Sequence, residues 1–346
     1  MPDALTITTP GVSWVTDLGR PDASALGQMA GGALDQYSAA VANALVMRPA
    51  GSPLLEVTAL DFAVTVGADA LVAVTGAPAS VTLNGLPMPQ WEPFLCPGGS
   101  EVAIAGIDGG LRCYLALSAE IDAPRLLGSV APDSVLGFGR PLRRGDQLTL
   151  LRSSLLLDNP FIGLPVFRLD APRQAFEDPW VADVCEGPDV AQFGDTVDRL
   201  FTTTFTVGPQ SNHVGLRLGP DAGAEPPRRT RTDEILSRGV PIGAVEVPAG
   251  RELLVLHRGR GVTAGYPVLA VVTTVSLSKL GQARPGQRVR FRPVSLEDAV
   301  ASRREQQRSL VQLTERVADV MEARGLPSPP THRRPSPLDP TRRNPS

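Results

Sequence analysis

Short β-branched segments separated by turn signals recur throughout this sequence, and their spacing limits the fold more than any other feature. In the first half they fall at 62–66, 71–75 and 81–83, and Asn84-Gly85 follows the third. Both residues of an Asn-Gly pair tolerate the positive φ angles of a tight hairpin turn. Strands about 8–12 residues apart with turns between them are typical of a β-sandwich or a β-barrel.

The second half repeats this organisation. Strand-like segments at 203–207, 244–247, 253–256, 268–276 and 288–293 follow a predicted helix at 190–200, as those of the first half surround one at 35–46. Glycine and proline number 34 each among 346 residues, which favours turn-rich β structure over a helical bundle. The sequence therefore predicts a mainly β fold in two units.

These patterns divide the chain into five parts. We predict a first β domain at 1–155, a linker at 156–179 and a second β domain at 180–295. Ser295 is a favourable N-cap for an amphipathic helix at 296–325, which either docks on the protein or forms a dimer or partner contact. The Pro- and Arg-rich segment 326–346 has little apolar content, so we expect it to be disordered.

Several functional classes are disfavoured by the sequence. Thirty-three basic and 36 acidic residues give a net charge of −3, unlike the basic surface of a nucleic-acid-binding domain. We expect no membrane association and a cytoplasmic location, because we find neither an apolar run of about 18 residues nor a secretory signal. The sole lysine, Lys279, precedes Leu280, which excludes a P-loop. Three scattered cysteines and three separated histidines favour no metal site.

A series of short motifs occurs in a fixed order. It includes Asp-Leu-Gly-Arg at 17–20, Arg-Cys-Tyr-Leu-Ala at 112–116, Ser-Asn-His-Val-Gly-Leu-Arg-Leu at 211–218 and Gly-Tyr-Pro at 265–267. Together these motifs resemble the allophanate hydrolase subunit 2 family. That family includes the C subunit of bacterial 5-oxoprolinase and a domain of biotin-dependent urea carboxylase.

The resemblance implies two cyclophilin-like β-barrel domains, with a few helices and a long C-terminal helix. It also implies a partner of the subunit 1 family, similar to the B subunit of 5-oxoprolinase. The expected chemistry is ATP-dependent opening of a lactam or amide, or carboxyl transfer to an amide nitrogen. ATP would be bound in the complex, and this chain carries no Met-Lys site for biotin attachment.

Several positions depart from the family pattern, two of them in the second half. Residues 259–267 are Gly-Arg-Gly-Val-Thr-Ala-Gly-Tyr-Pro where the family has Asp-x-Gln-Thr-Thr-Gly-Gly-Tyr-Pro, and His213 stands where the family has arginine. The altered loop and the long C-terminal helix favour one alternative to a hydrolase subunit, a non-catalytic regulatory or binding protein on the same scaffold. A weaker alternative is a carboxyltransferase component that acts with a biotinylated partner, because another polypeptide would have to carry the biotin.

The candidate site residues are polar groups that accompany glycine turns, a buried helix or a strand. An arginine fork can bind a carboxylate or phosphate with two hydrogen bonds, a buried amide needs a partner, and a glycine lets a ligand approach the backbone. A structural role is the alternative for each residue, and for Glu56 this is an ion pair with Arg20 or Arg112. We expect substrate or phosphate binding by Asp17, Arg20, Asn43, Glu56, Asn212, His213, Arg217, Thr263, Gly265 and Tyr266.

Overall fold

A computed structural model describes residues 3–151, 168–231 and 235–323. The strands of the first half are β1 (Ala4–Thr9), β2 (Val12–Thr16), β3 (Leu54–Thr58), β4 (Phe62–Val66), β5 (Ala70–Gly76), β6 (Ser80–Leu83), β7 (Leu86–Met88), β8 (Pro93–Cys96), β9 (Ser100–Ala105), β10 (Arg112–Leu117), β11 (Glu120–Ile121) and β12 (Gln147–Leu151). Those of the second half are β13 (Trp180–Glu186), β14 (Phe205–Val207), β15 (Gly215–Pro220), β16 (Arg238–Gly239), β17 (Ala244–Glu246), β18 (Leu253–Leu256), β19 (Thr263–Ala264), β20 (Val268–Val272) and β21 (Arg288–Pro293). The helices are α1 (Gln36–Leu45), α2 (Arg199–Thr202), α3 (Thr274–Leu280) and α4 (Leu296–Ala323).

The first half consists of two sheets that share one core. A seven-stranded sheet runs in the order β11-β12-β1-β4-β9-β6-β7, and a five-stranded sheet runs β2-β3-β10-β5-β8. Their facing side chains, among them Phe62, Ile104 and Val74, are fully buried together. The predicted Asn84-Gly85 turn is confirmed, because both residues have positive φ and join β6 to β7.

Helix α1 covers part of the outer face of the five-stranded sheet. Asp35 caps it by accepting a hydrogen bond of 3.0 Å from the backbone N–H of Ser38. Val41 and Leu45 are fully buried in a cluster with Tyr114 of β10. The helix predicted at 35–46 is therefore present, and it leaves part of this sheet face uncovered.

The second half closes into a barrel with the strand order β13-β20-β17-β18-β15-β14-β21. Trp180, Phe205 and Phe291 lie in its core, and the two phenylalanine rings meet edge to face at a centroid distance of 5.8 Å. The mainly β class with a few helices and a long C-terminal helix is therefore confirmed. The domain boundaries given above stay a prediction.

Two elements differ from their predicted form. The strand predicted at 268–276 ends at Val272, because the Thr273 hydroxyl accepts the N–H of Ser276 at 3.3 Å and begins α3. The helix predicted at 190–200 consists of two short 3₁₀ turns followed by α2. Gly194, the first residue of the second turn, has φ at +49° and prevents a continuous right-handed helix.

Helix α4 docks on the first half. The Ser295 hydroxyl accepts the N–H of Asp298 at 3.0 Å, which is the predicted cap. Leu313, Val317 and Met321 are fully buried in the cluster that contains α1. The end of the helix at 325, the tail at 326–346 and linker residues 156–167 lie outside the described residues. Within the described ranges, no helix is long and apolar enough to span a bilayer.

Candidate functional site

The two halves meet through a buried glutamine. Gln282, which follows α3, is fully buried, and its Oε1 accepts the backbone N–H groups of Leu111 at 3.1 Å and Arg112 at 2.8 Å. Its Nε2 donates to the Asp35 carboxylate at 2.8 Å and to the carbonyl of Arg112 at 3.1 Å. One side chain of the second half therefore fixes both the cap of α1 and the start of β10.

A second contact lies on the other side of the same junction. The Arg258 side chain donates to the carbonyls of Gly31 at 2.7 Å and Leu18 at 2.9 Å, and its own carbonyl accepts the N–H of Gly31 at 3.0 Å. Burial lowers the pKa of Arg258 to about 10, so this guanidinium is still charged at neutral pH. The loop of the first half that contains Gly31 and Gly32, here called the glycine loop, is thus held against the second half.

A cleft of about 430 Å³ lies between the two halves. Its walls come from the uncovered end of the five-stranded sheet, from the glycine loop and from two loops of the second half. The lining residues are Trp14, Thr16, Met29, Gly31, Gly32, Leu34, Glu56, Thr58, Leu111, Arg112, Pro132, Ser134, Phe138, Gly139, Pro141, Ser211, Asn212, His213 and Gly259.

Two oppositely charged side chains lie in this cleft. Glu56 Oε2 accepts the Tyr114 hydroxyl at 2.9 Å, and Tyr114 in turn accepts the N–H of Asp35 at 3.0 Å. Arg112 Nε lies 3.6 Å from Glu56 Oε1, close enough for charge attraction but long for a hydrogen bond. The predicted structural partner of Glu56 is therefore Arg112, and a carboxylate and a guanidinium lie side by side in the cleft.

His213 contributes to the rim of the cleft from the second half. Its Nε2 lies 3.3 Å from the Ser134 hydroxyl of the first half. Enclosure of the ring lowers the pKa of His213, and the positive charge of Arg112 lowers it further. The imidazole is therefore neutral at pH 7 and able to accept a proton. Asn212 also lines the cleft, and its Oδ1 accepts the N–H of Val214 at 2.8 Å.

Asp17 and Arg20 support the cleft from behind and do not line it. Asp17 accepts hydrogen bonds from the N–H of Gly19 at 2.7 Å and the hydroxyl of Ser129 at 2.6 Å. Arg20 is buried, donates to the Ala131 carbonyl and lies 3.4 Å from Asp133. These contacts fix the turn that packs against the glycine loop, and they correspond to the structural alternative for both residues.

Five other candidate residues lie apart from the cleft lining. Asn43 donates to the carbonyls of Ala50 at 3.0 Å and Ser52 at 2.9 Å and so ties the end of α1 to the next loop. Arg217 is exposed and lies 3.6 Å from the Glu252 carboxylate. The remaining three lie in the segment that leads from β19 to β20: Thr263, Gly265 and Tyr266. Tyr266 is 48% exposed. The structure therefore brings together only Glu56, Asn212 and His213 from the candidate set.

Sequence reasoning missed Thr58 and Ser134 in the cleft and Arg258 at the junction, and it treated Arg112 only as an ion-pair partner. Thr58 looks like an ordinary β-branched strand residue, and its role depends on pairing with a strand more than 50 residues away. The only feature of the sequence that could have drawn attention to Arg258 is its position next to the altered 259–267 loop.

The fold and cleft define a class of protein: two mainly β halves with a cleft that contains charged and polar side chains at their junction. The family described as carboxyltransferase domain, subdomain A and B, matches residues 26–293, and this chain belongs to it. The C subunit of 5-oxoprolinase of Escherichia coli (strain K12) is 30% identical over 304 residues, which are 83% of this chain and 89% of that protein. Urea amidolyase of Saccharomyces cerevisiae is 28% identical over 86% of this chain, which spans only 17% of that protein.

Solved structures agree with this assignment. The crystal structure of TTHA0988 superimposes with a TM-score of 0.72 at 32% identity and covers 84% of this chain. This chain spans about half, 55%, of that longer chain. The Kluyveromyces lactis urea amidolyase structure gives a TM-score of 0.80 at 26% identity over 90% of this chain and 20% of that one.

Proposed function

We propose that this chain is a subunit of an ATP-dependent amide or lactam hydrolase complex of the 5-oxoprolinase type. One observation carries the proposal: Glu56 Oε1 and Arg112 Nε lie 3.6 Å apart at the junction cleft, as a hydrogen-bond acceptor beside a donor. An amide presents the complementary pair, an N–H that donates and a carbonyl that accepts. The similarity to the C subunit of 5-oxoprolinase supports a lactam as the substrate.

The proposal gives each cleft residue a distinct role. Glu56 accepts the amide N–H, and its orientation is fixed by the hydrogen bond from Tyr114. His213, which is neutral at pH 7, serves as a base at the rim. Asn212 binds the remaining polar part of the substrate. Because these groups are already fixed in position, they need little reorganisation when negative charge develops on the carbonyl oxygen.

We assign ATP to the partner subunit of the complex. Arg20, one of the arginines expected to bind phosphate, donates instead to backbone carbonyls and contacts Asp133. Arg258 is used in the same way across the junction. The E. coli relative is named as one subunit of its enzyme, which supports a multi-subunit complex here, and a protein of the subunit 1 family is the proposed partner.

The direct test is ATP hydrolysis that depends on 5-oxoproline, measured with the purified chain and its subunit 1 partner. The expected result is turnover by the mixture that neither protein shows alone. The Glu56→Gln variant should lose at least about tenfold of the rate, because it replaces a charged acceptor with an amide. A folded complex without 5-oxoproline-dependent hydrolysis would exclude this function.

Carboxyl transfer to an amide nitrogen is the second candidate, because two of the relatives described above are urea amidolyases. The same cleft would then bind the acceptor amide, and a biotinylated partner would bring the carboxyl group. Amide carboxylation by the chain with such a partner, without lactam hydrolysis, would favour this candidate. If the chain binds its partner but supports neither reaction, the regulatory alternative remains.

A further inference from the structure

Thr58 and Arg112 lie directly opposite each other in the five-stranded sheet. The register of β3 and β10 pairs Arg112 with Thr58 and Tyr114 with Glu56. Opposite residues in an antiparallel pair have Cβ atoms about 5 Å apart, so their side chains leave the sheet as neighbours. Thr58 and Arg112 therefore form one row of the cleft floor, and Glu56 lies in the next row.

Each of these two residues carries a buried polar atom that makes no hydrogen bond within the described residues, although Arg112 Nε lies 3.6 Å from the Glu56 carboxylate. Thr58 Oγ1 and Arg112 Nε are shielded from solvent and have no hydrogen-bond partner among the described residues. An unpaired buried donor costs about 1–3 kcal/mol, so two of them side by side are unusual within one strand pair. Both residues also line the cleft between the two halves.

The rest of Arg112 is firmly held. Its Nη1 donates to the carbonyl of Gly281, its backbone N–H donates to Gln282, and its carbonyl accepts a hydrogen bond from Gln282. These contacts come from the second half of the chain and fix the guanidinium in position. Its free Nε is therefore a preorganised donor beside the Thr58 hydroxyl.

We propose that Thr58 Oγ1 and Arg112 Nε form the subsite that binds the carbonyl oxygen of the substrate amide. This inference rests on the proposed function and names the atoms that recognise the reacting group. With Glu56 in the next row, the carbonyl oxygen lies on the Thr58–Arg112 side and the amide N–H lies on the Glu56 side. The subsite thus orients a cyclic amide in one direction in the cleft.

The Thr58→Val variant is a clean test, because valine has the same shape and the hydroxyl makes no hydrogen bond within the described structure. We expect thermal unfolding at the wild-type temperature or above it, because the substitution removes a buried hydroxyl that has no hydrogen bond. Binding is measured by calorimetry on the full chain in complex with its partner, with two probes. 5-Oxoproline carries a lactam and a carboxylate, and 2-pyrrolidone carries the lactam alone. Loss of one hydrogen bond should weaken both by a similar factor of about 3–10.

Two further variants act as controls. Thr58→Ser should bind both probes like the wild type, because it keeps the hydroxyl. Thr82→Val, on β6 of the other sheet, should change nothing. Unchanged binding of both probes by Thr58→Val, or weakened binding of 5-oxoproline alone, would overturn the subsite and leave the proposed function in place. If the wild-type complex binds neither probe, the proposed lactam function itself is wrong.

Discussion

At the scale of single residues, His213 packs so closely against Gly259 that a side chain at position 259 would collide with it. A Cβ atom built on Gly259 would lie 2.3 Å from Cδ2 of His213 and 2.8 Å from its carbonyl oxygen. The absence of a side chain at position 259 therefore leaves room for the His213 ring at the rim of the cleft.

This ring predicts a specific pH dependence. The pKa of His213 lies below the ordinary value of 6.5, because the ring is partly enclosed and faces the positive charge of Arg112, so the imidazole is mostly neutral at pH 7. The rate of 5-oxoproline-dependent ATP hydrolysis should therefore decrease in acid, with a midpoint at a lower pH than an ordinary histidine would give. His213→Gln should lower the rate about 100-fold and remove the acid limb. An acid limb that persists in His213→Gln would assign it to another group.

Glu246 predicts a second pH effect, on stability. The carboxyl group is 1% exposed, its Oε1 has no hydrogen-bond partner in the described part of the chain, and burial raises the pKa of Glu246 to about 7. The folded state therefore holds a proton that the unfolded chain releases near pH 4.5, and this stabilisation is lost as the pH rises toward 7.

Replacing the Glu246 carboxyl group should remove this loss of stability at higher pH. At pH 8 the free energy of unfolding of Glu246→Gln should exceed that of the wild type by roughly 2–3 kcal/mol. At pH 4.5 the two proteins should differ little. Urea unfolding at both pH values measures this. Glu252→Gln, at an exposed carboxylate, is the control and should show no such difference. Equal stability of Glu246→Gln and wild type at pH 8 would contradict the assignment.

At the scale of elements, α4 contributes to the folded core although most of its surface is polar. Leu313 is fully buried against the α1 cluster, whereas Val311, two residues earlier, is 55% exposed. Leu313→Ala should therefore lower the free energy of unfolding by about 2–5 kcal/mol. Val311→Ala should change it by less than about 0.5 kcal/mol. Similar effects of the two substitutions would mean that α4 does not dock as described.

Elements with a local signal could be predicted from the sequence. The Asn84-Gly85 turn depends on two residues, and α1 depends on its cap and its apolar face. The strand predicted at 268–276 was wrong beyond Val272, because β-branched residues favour a strand while the Thr273 cap and tertiary packing favour α3.

The cleft was harder to predict because its residues come from distant segments. Glu56, Asn212 and His213 carried recognisable polar motifs, whereas Thr58 gains its role only from the register with β10. Asp17 and Arg20 share the residue types of a binding site, but their partners are backbone groups and the side chains of Ser129 and Asp133, which only the folded chain brings near. Residue type therefore pointed to three residues that line the cleft, and topology brings the others to it.

At the scale of the whole molecule, the two halves together line one cleft. Gln282 and Arg258 carry contacts across the junction, and the cleft takes its charged residues from the first half and its histidine from the second. Neither half contains the complete set of polar groups. The account therefore depends on one claim: a small amide binds at the junction of the halves.

A crystal structure of the full chain soaked with 5-oxoproline tests this claim most directly. We expect the ligand in the junction cleft, with its lactam carbonyl oxygen within hydrogen-bond distance of Arg112 Nε and its ring N–H facing Glu56. A ligand bound instead at the exposed segment that contains Tyr266, or a cleft without ligand at saturating concentration, would contradict the account.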